Sequence, residues 1–257
     1  MHWLRNVLKT VEDFVDDFVE NIAMDMKQNE QIESKQNQQI ADTIQPYFNS
    51  DARESIYQVI AARRDMRHFI SGKPIDEVVL NRMLHAAMMA PSVGLMQPWR
   101  FIRIKKTSVR EEIANLVEQE RINTANVLAE RKDEFLKLKV EGVRECAELI
   151  VVAMAPDDGT VFGRRTLAYD TALGSVACAI QTLWLAARAE NLGMGWVSLF
   201  EPVALAKLLN MPEGSKPIAI LCLGHVEAFY AKPMLELENW RNAKPTAELL
   251  FTDTWGK

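Results

Sequence analysis

Apolar residues recur at helical spacing from the first residues onward. Leu4, Val7, Val11, Phe14, Val15, Phe18 and Ile22 predict an amphipathic helix over residues 1–24, with Glu12, Asp13, Asp16, Asp17 and Glu20 on its polar face. An acidic face is repelled by anionic lipid, so its expected target is another helix or a protein surface. Residues 27–45 are rich in Gln, Asn, Lys and Glu and read as a linker. The expected division is therefore a helix-plus-linker segment over 1–48 and a globular domain over 49–257, with Asp51 as a candidate cap for its first helix. Ile56, Val59 and Ile60 mark that helix. A second helix is expected over 76–89, from Val79, Leu80, Met83, Leu84 and Ala87.

Beyond it the period changes. Residues 99–104 alternate like a strand, and 109–140 return to helical spacing, long, charged and broken once. Residues 148–155 read as a buried strand and 156–163 as a turn. Residues 171–189 form a helix apolar nearly all round (Leu173, Val176, Ala177, Ile180, Leu183, Trp184, Leu185), which must be covered on every side, by the fold or by a second subunit. Two further strands fall at 194–199 and 218–223. The Pro-containing tail carries Phe229, Tyr230, Trp240 and Trp255 and is expected to embrace a partner subunit. Few strands among many helices, without a strict strand–helix repeat, predict an α+β fold.

Composition narrows the function. The 257 residues are 48% hydrophobic and 25% charged, with net charge −5, so no basic surplus points to nucleic acid. Cys146, Cys178 and Cys222 are scattered, each in an apolar context, and suggest packed thiols in a reducing compartment. The four histidines, His2, His68, His85 and His225, lack metal-ligand spacing, so no metal is expected. No apolar run approaches the roughly 20 residues of a spanning helix, and acidic residues interrupt the N-terminus, so a cytoplasmic location without membrane contact is expected. No Gly-x-Gly-x-x-Gly follows a strand, and neither Gly-x-x-x-x-Gly-Lys nor Gly-x-Ser-x-Gly occurs.

Three constellations remain. In Arg63-Arg64-Asp65-Met66-Arg67, three guanidinium groups surround one carboxylate; planar donors of this kind match phosphate and carboxylate oxygens, and the arginines are expected to lower the pKa of Asp65. The loop Ala90-Pro91-Ser92-Val93-Gly94-Leu95-Met96-Gln97-Pro98-Trp99 is stiffened by two prolines and can bring its backbone close to a ligand. Gly193-Met194-Gly195-Trp196-Val197-Ser198 leaves room at a strand for a planar group and offers the Ser198 hydroxyl beside it.

With Leu183-Trp184-Leu185-Ala186-Ala187-Arg188-Ala189-Glu190, these segments resemble the nitroreductase-type flavoproteins over residues 56–255, nearly all of the globular part. Asp65 and the Trp196-Val197-Ser198 strand resemble in particular the branch that destroys its flavin. The resemblance implies a nitroreductase-like central mixed or antiparallel sheet flanked by helices, in an intertwined homodimer with FMN at each interface. The implied contacts are Arg63, Arg64, Asp65, Met66 and Arg67 at the phosphate and ribityl chain; Pro91, Ser92, Gly94 and Gln97 near the ring, from the other subunit; Ser175 and Gly195; and Arg241 with Lys244, which stands where relatives often place an arginine. In that branch, reduced FMN reacts with molecular oxygen and yields 5,6-dimethylbenzimidazole, the lower ligand of cobalamin, and erythrose 4-phosphate. Asp65 and Ser198 match its catalytic pair, Asp65 as a base. A separate flavin reductase would supply the reduced FMN. Two other readings are an FMN-dependent NAD(P)H nitroreductase or quinone reductase, and a flavin-binding protein without turnover.

Overall fold

Four antiparallel strands form the centre of the fold, in the order β1-β2-β4-β3: β1 is Trp99–Arg103, β2 Glu148–Met154, β3 Gly193–Val197 and β4 Lys216–Gly224. The computed structural model describes residues 47–256. The helix expected over 1–24 and the linker over 27–45 lie outside them. The chain divides into two units, residues 1–55 and 56–257. The first is described only over 47–55, where Asn49, not Asp51, caps helix α1 (Ser50–Ala62): its Oδ1 accepts the Ala52 N–H at 2.8 Å. Asp51 sits one residue inside the helix, too far along to reach the orphan N–H groups of the first turn.

In the second unit, β2 and β4 are buried on both faces, which is why they read as continuous apolar runs. One face sends Ile150, Val152, Ala219 and Leu221 against α2 (Glu77–Met88) and α5 (Ala168–Ala189). The other sends Leu149, Val151, Ile220 and Cys222 against α3 (Thr107–Val127) and α6 (Pro202–Leu208). Alternation along the strand thus feeds two cores from one sheet. Helix α2 starts where Asp76 accepts the N–H groups of Val78 and Val79. The predicted break after α3 is real: a short 3-10 turn, Ala129–Arg131, leads into α4 (Lys132–Lys137).

Helix α5 corrects one expectation. Its 22 residues are long and apolar enough to cross a membrane by length and composition, contrary to the reading that no run approaches that length. Yet Val176, Ala179, Ile180 and Leu183 are core residues, and a helix packed this way is a core helix. On the single chain, Gly174, Cys178 and Gln181 of this helix are exposed, while Cys146 and Cys222 are buried. The first part of the tail turns back on its own chain. The Tyr230 hydroxyl lies 2.6 Å from His68 Nδ1, and Trp240 packs on Phe135 just after α7 (Met234–Leu237).

Candidate active site

The arginine cluster begins where α1 stops. After Arg63 the backbone becomes extended and runs parallel to the outer edge of β3, pairing Asp65 with Met194. Met66 N–H donates to the Met194 carbonyl at 2.9 Å. Trp196 N–H donates to Asp65 Oδ1 at 3.0 Å, and Arg67 Nη2 donates to the Trp196 carbonyl at 2.8 Å and to Asp65 Oδ2. The open sheet edge is thereby closed by the segment that carries the chemistry.

This closure explains the glycines. A Cβ on Gly195 would lie 2.3 Å from the Met66 carbonyl oxygen, and one on Gly193 would lie 2.5 Å from Val226 Cγ1. The room expected for a planar group at this strand is filled by the protein's own Met66 and Val226. Met66 itself is buried beneath Gly193.

Arg67 is almost fully buried, with only 9% of its side chain accessible, against 40% for Asp65. Among the described residues, Arg67 Nε and Nη1 and Arg64 Nε are buried and have no hydrogen-bond partner. Orphan guanidinium donors are costly unless an acceptor arrives, so this cluster fits an anionic group such as a phosphate. Arg64 is otherwise anchored on the Ala61, Arg63 and Ala231 carbonyls, and Arg63 lies over the Trp184 ring at 4.7 Å.

Burial pushes the Asp65 carboxyl above its ordinary pKa and outweighs the opposing pull of Arg67, the Trp196 N–H and Arg63. The expected lowering by its arginines is corrected on this point. One of those guanidinium groups also serves the Trp196 carbonyl, which divides its attraction for the acid. A raised carboxyl can exchange a proton nearer neutrality, which suits general acid as well as base work.

Asp65 stands between two cavities. One, of about 220 Å³, is lined by Asp65, Arg67, Trp196, Ser198 and Leu199, with Phe135, Leu138, Met234, Leu235 and Trp240 as its other wall. The second, of about 210 Å³, is lined by Arg63, Arg64, Asp65, Pro233, Met234 and Leu235. The structure thus brings Asp65 and Ser198, 133 positions apart in the chain, onto one cavity continuous in lining with an arginine pocket. A groove of about 950 Å³ beside α6 touches none of these residues.

The loop residues form a separate group. Ser92 Oγ accepts the Gln97 N–H at 3.1 Å, and buried Ser175 on α5 accepts the Val93 N–H at 3.1 Å while donating to Thr171. Gly94 has φ +54° and faces the Phe162 carbonyl, so the loop is fixed from both sides. Pro91 is exposed at its start. Arg241 and Lys244 lie exposed after α7 and line neither cavity. Phe135, Leu138, Met234, Leu235 and Trp240 are site-lining residues that the sequence reading missed. Their one signal was the apolar side chains left between charged residues over 132–140 and 234–240. Among the described residues, no three His, Cys, Asp or Glu side chains gather as a metal would require.

An extended, arginine-bearing segment thus seals the edge of an antiparallel sheet in an α+β fold. The nitroreductase family matches residues 60–225, more than half of the chain, and the chain belongs to it. Within that family the chain is 38% identical over 205 residues to the 5,6-dimethylbenzimidazole synthase of Rhodospirillum rubrum, spanning 78% of this chain and 95% of that protein. Among solved structures, the BluB-like flavoprotein from Clostridium difficile 630 superposes with a TM-score of 0.61 at 18% identity, over 77% of this chain and 99% of its own. Oxidized iodotyrosine deiodinase bound to FMN and 3-iodo-L-tyrosine does so with 0.57 at 23% identity, over 69% and 92%. These two likenesses speak for the fold.

Proposed function

We propose that this chain carries out the 5,6-dimethylbenzimidazole synthase reaction. Reduced FMN is its substrate, dioxygen its co-substrate, and the products are 5,6-dimethylbenzimidazole and erythrose 4-phosphate. The observation that carries the reading is the shared cavity of Asp65 and Ser198, beside buried arginine donors that lack an acceptor. The oxygen chemistry is the flavin's own. The chain's part is to bind, orient and move protons. Arg63, Arg64 and Arg67 hold the phosphate and ribityl end. Asp65 exchanges a proton beside that end, and Ser198 donates a hydrogen bond at the ring edge.

The group of Ser92, Gly94, Gln97 and Ser175 shares no cavity with the arginine cluster. Each group is half of a site, and a second copy of the chain supplies the missing half in a homodimer. Reduced FMN comes from a separate flavin reductase in the cytoplasm, since a site already holding reduced FMN needs to admit only oxygen. Residues 1–48 form an interaction segment apart from the catalytic domain over 49–257.

The test is direct. The purified protein is mixed with chemically reduced FMN in air, and the mixture is chromatographed. Loss of flavin absorbance with appearance of 5,6-dimethylbenzimidazole is expected. Intact flavin cycling at the expense of NAD(P)H would instead make the protein an ordinary reductase. A Ser198→Gly variant should bind FMN as the parent does yet lose product; full activity would remove Ser198 from the mechanism.

A further inference from the structure

We propose that Trp184 is the positioning residue that presents Arg63 and Arg64 to the phosphate of the flavin. This rests on the reading that the arginine cluster holds the phosphate end of FMN, and it names what holds the arginines. Trp184 lies on α5, is only 8% exposed, and lines neither cavity beside Asp65, so it acts through other residues. Its indole N–H donates to the Arg64 carbonyl at 3.2 Å, and the Arg63 guanidinium lies over its ring at 4.7 Å. Its ring centre is 6.5 Å from that of Trp196, whose backbone N–H holds Asp65. One turn further along α5, Arg188 Nε donates to the Ala62 carbonyl at 3.2 Å, and its guanidinium lies 3.9 Å from the centre of the Phe229 ring. The carbonyls on either side of Arg63 are thus both bonded from one face of α5.

The arginine segment needs such a support. It leaves α1 at Ala62, where the last carbonyls of a helix have no partner inside it. Arg188 supplies the partner for Ala62. The segment then carries three arginines within five residues. These cations repel one another, and each long side chain loses rotamer freedom when it is fixed. Each is fixed by a different device. Arg67 is bonded to Asp65 and the Trp196 carbonyl, and Arg64 to the Ala61, Arg63 and Ala231 carbonyls. Arg63 is held over the Trp184 ring. An aromatic face attracts a guanidinium without taking up its N–H donors, which remain for the oxygens of an anion.

Arg63 and Arg64 both line the cavity of about 210 Å³. The buried indole therefore sets where two of its cations stand before a ligand arrives, and a preset cation costs less ordering on binding. The consequence is selectivity for a phosphorylated flavin. Loss of the clamp weakens the grip on the phosphate and leaves the contacts of the ring alone.

The test uses the full chain and titrates oxidised FMN and riboflavin, the same flavin without its phosphate, by flavin fluorescence. The parent should bind FMN the more tightly. Trp184→Leu should lower the ratio of the two affinities by about tenfold, with riboflavin affinity moving by less than about twofold. Trp184→Phe keeps a smaller ring for Arg63 but loses the N–H to Arg64, and should fall between; if Trp184→Leu does not fold, it carries the test. Either variant should lower the ratio less in an Arg63→Gln background than in the parent, because part of the interaction is already gone. Equal losses of FMN and riboflavin affinity would make Trp184 a core residue and nothing more, and full additivity with Arg63→Gln would show that it does not act through Arg63; either result overturns the proposal. A parent that fails to distinguish FMN from riboflavin would sink the phosphate assignment and the clamp with it. A parent that distinguishes them but forms no 5,6-dimethylbenzimidazole from reduced FMN would sink the synthase reading alone, and the Trp184 ratios would still decide for or against the clamp.

Discussion

Replacing Gly195 by alanine separates two accounts of the site. The backbone of Gly195 has no left-handed torsion, so the change is purely steric, and in an open strand alanine is the better residue by about 0.5–1 kcal/mol. Here its Cβ meets the Met66 carbonyl oxygen at 2.3 Å, Arg67 Nη1 at 3.2 Å and Asp65 Oδ1 at 3.5 Å. A comfortable C···O approach is about 3.3 Å, so the carbonyl must retreat by about 1 Å. It cannot do so freely, because Met66 N–H is bonded to Met194 at 2.9 Å and Trp196 N–H to Asp65 at 3.0 Å. A neutral hydrogen bond contributes about 0.5–1.5 kcal/mol and one to a charged group about 1.5–3 kcal/mol. Partial loss of these, with the overpacking, gives an expected destabilisation of about 3 kcal/mol. In a domain of this size that is a fall in Tm of about 6–12 °C, read by circular dichroism. FMN affinity should fall at least about tenfold, because the arginine segment is displaced with Met66. A variant that keeps its Tm but loses FMN would refute the reasoning, since the glycine would then be making room for the flavin and not for Met66.

Two further outcomes follow from the same geometry. Because burial raises the Asp65 pKa, the folded chain holds that proton more tightly than the unfolded chain. Its contribution to stability is full below the ordinary aspartate value of about 3.9 and is lost as pH rises through the raised folded value. Denaturant midpoints measured from about pH 4 to 7 should show this fall in the parent and not in Asp65→Asn, and the acid limb of the product-formation rate should vanish in the same variant; an identical stability profile would show that the arginines, not burial, set the pKa. Ser175→Ala leaves the Val93 N–H without its 3.1 Å acceptor and should speed hydrogen exchange across residues 92–97, at a cost of about 1–2 kcal/mol in stability. Unchanged exchange there would mean that α5 does not hold the loop.

What the sequence determined by itself is what lies in covalent order. Alternating or continuous short apolar runs marked the four described strands and period-3.6 patterns the long helices, because burial on one or two faces writes itself into neighbouring positions. The cluster Arg63-Arg64-Asp65-Met66-Arg67 was legible for the same reason: its charges are adjacent in the chain. Only the tertiary structure decided what those charges experience. Adjacent arginines argued for a depressed Asp65 carboxyl, but burial against a sheet edge raises it, and desolvation depends on residues far away in sequence. Gly195 looked like space for a ligand until Met66 was found in that space. Helix α5 looked apolar all round, and the single chain covers only part of it, because hydropathy records what a face could bury and not what covers it. The wall formed by Phe135 and Trp240 joins residues 105 positions apart. No local pattern encodes such a meeting, since it exists only once the sheet has placed both segments over the same edge.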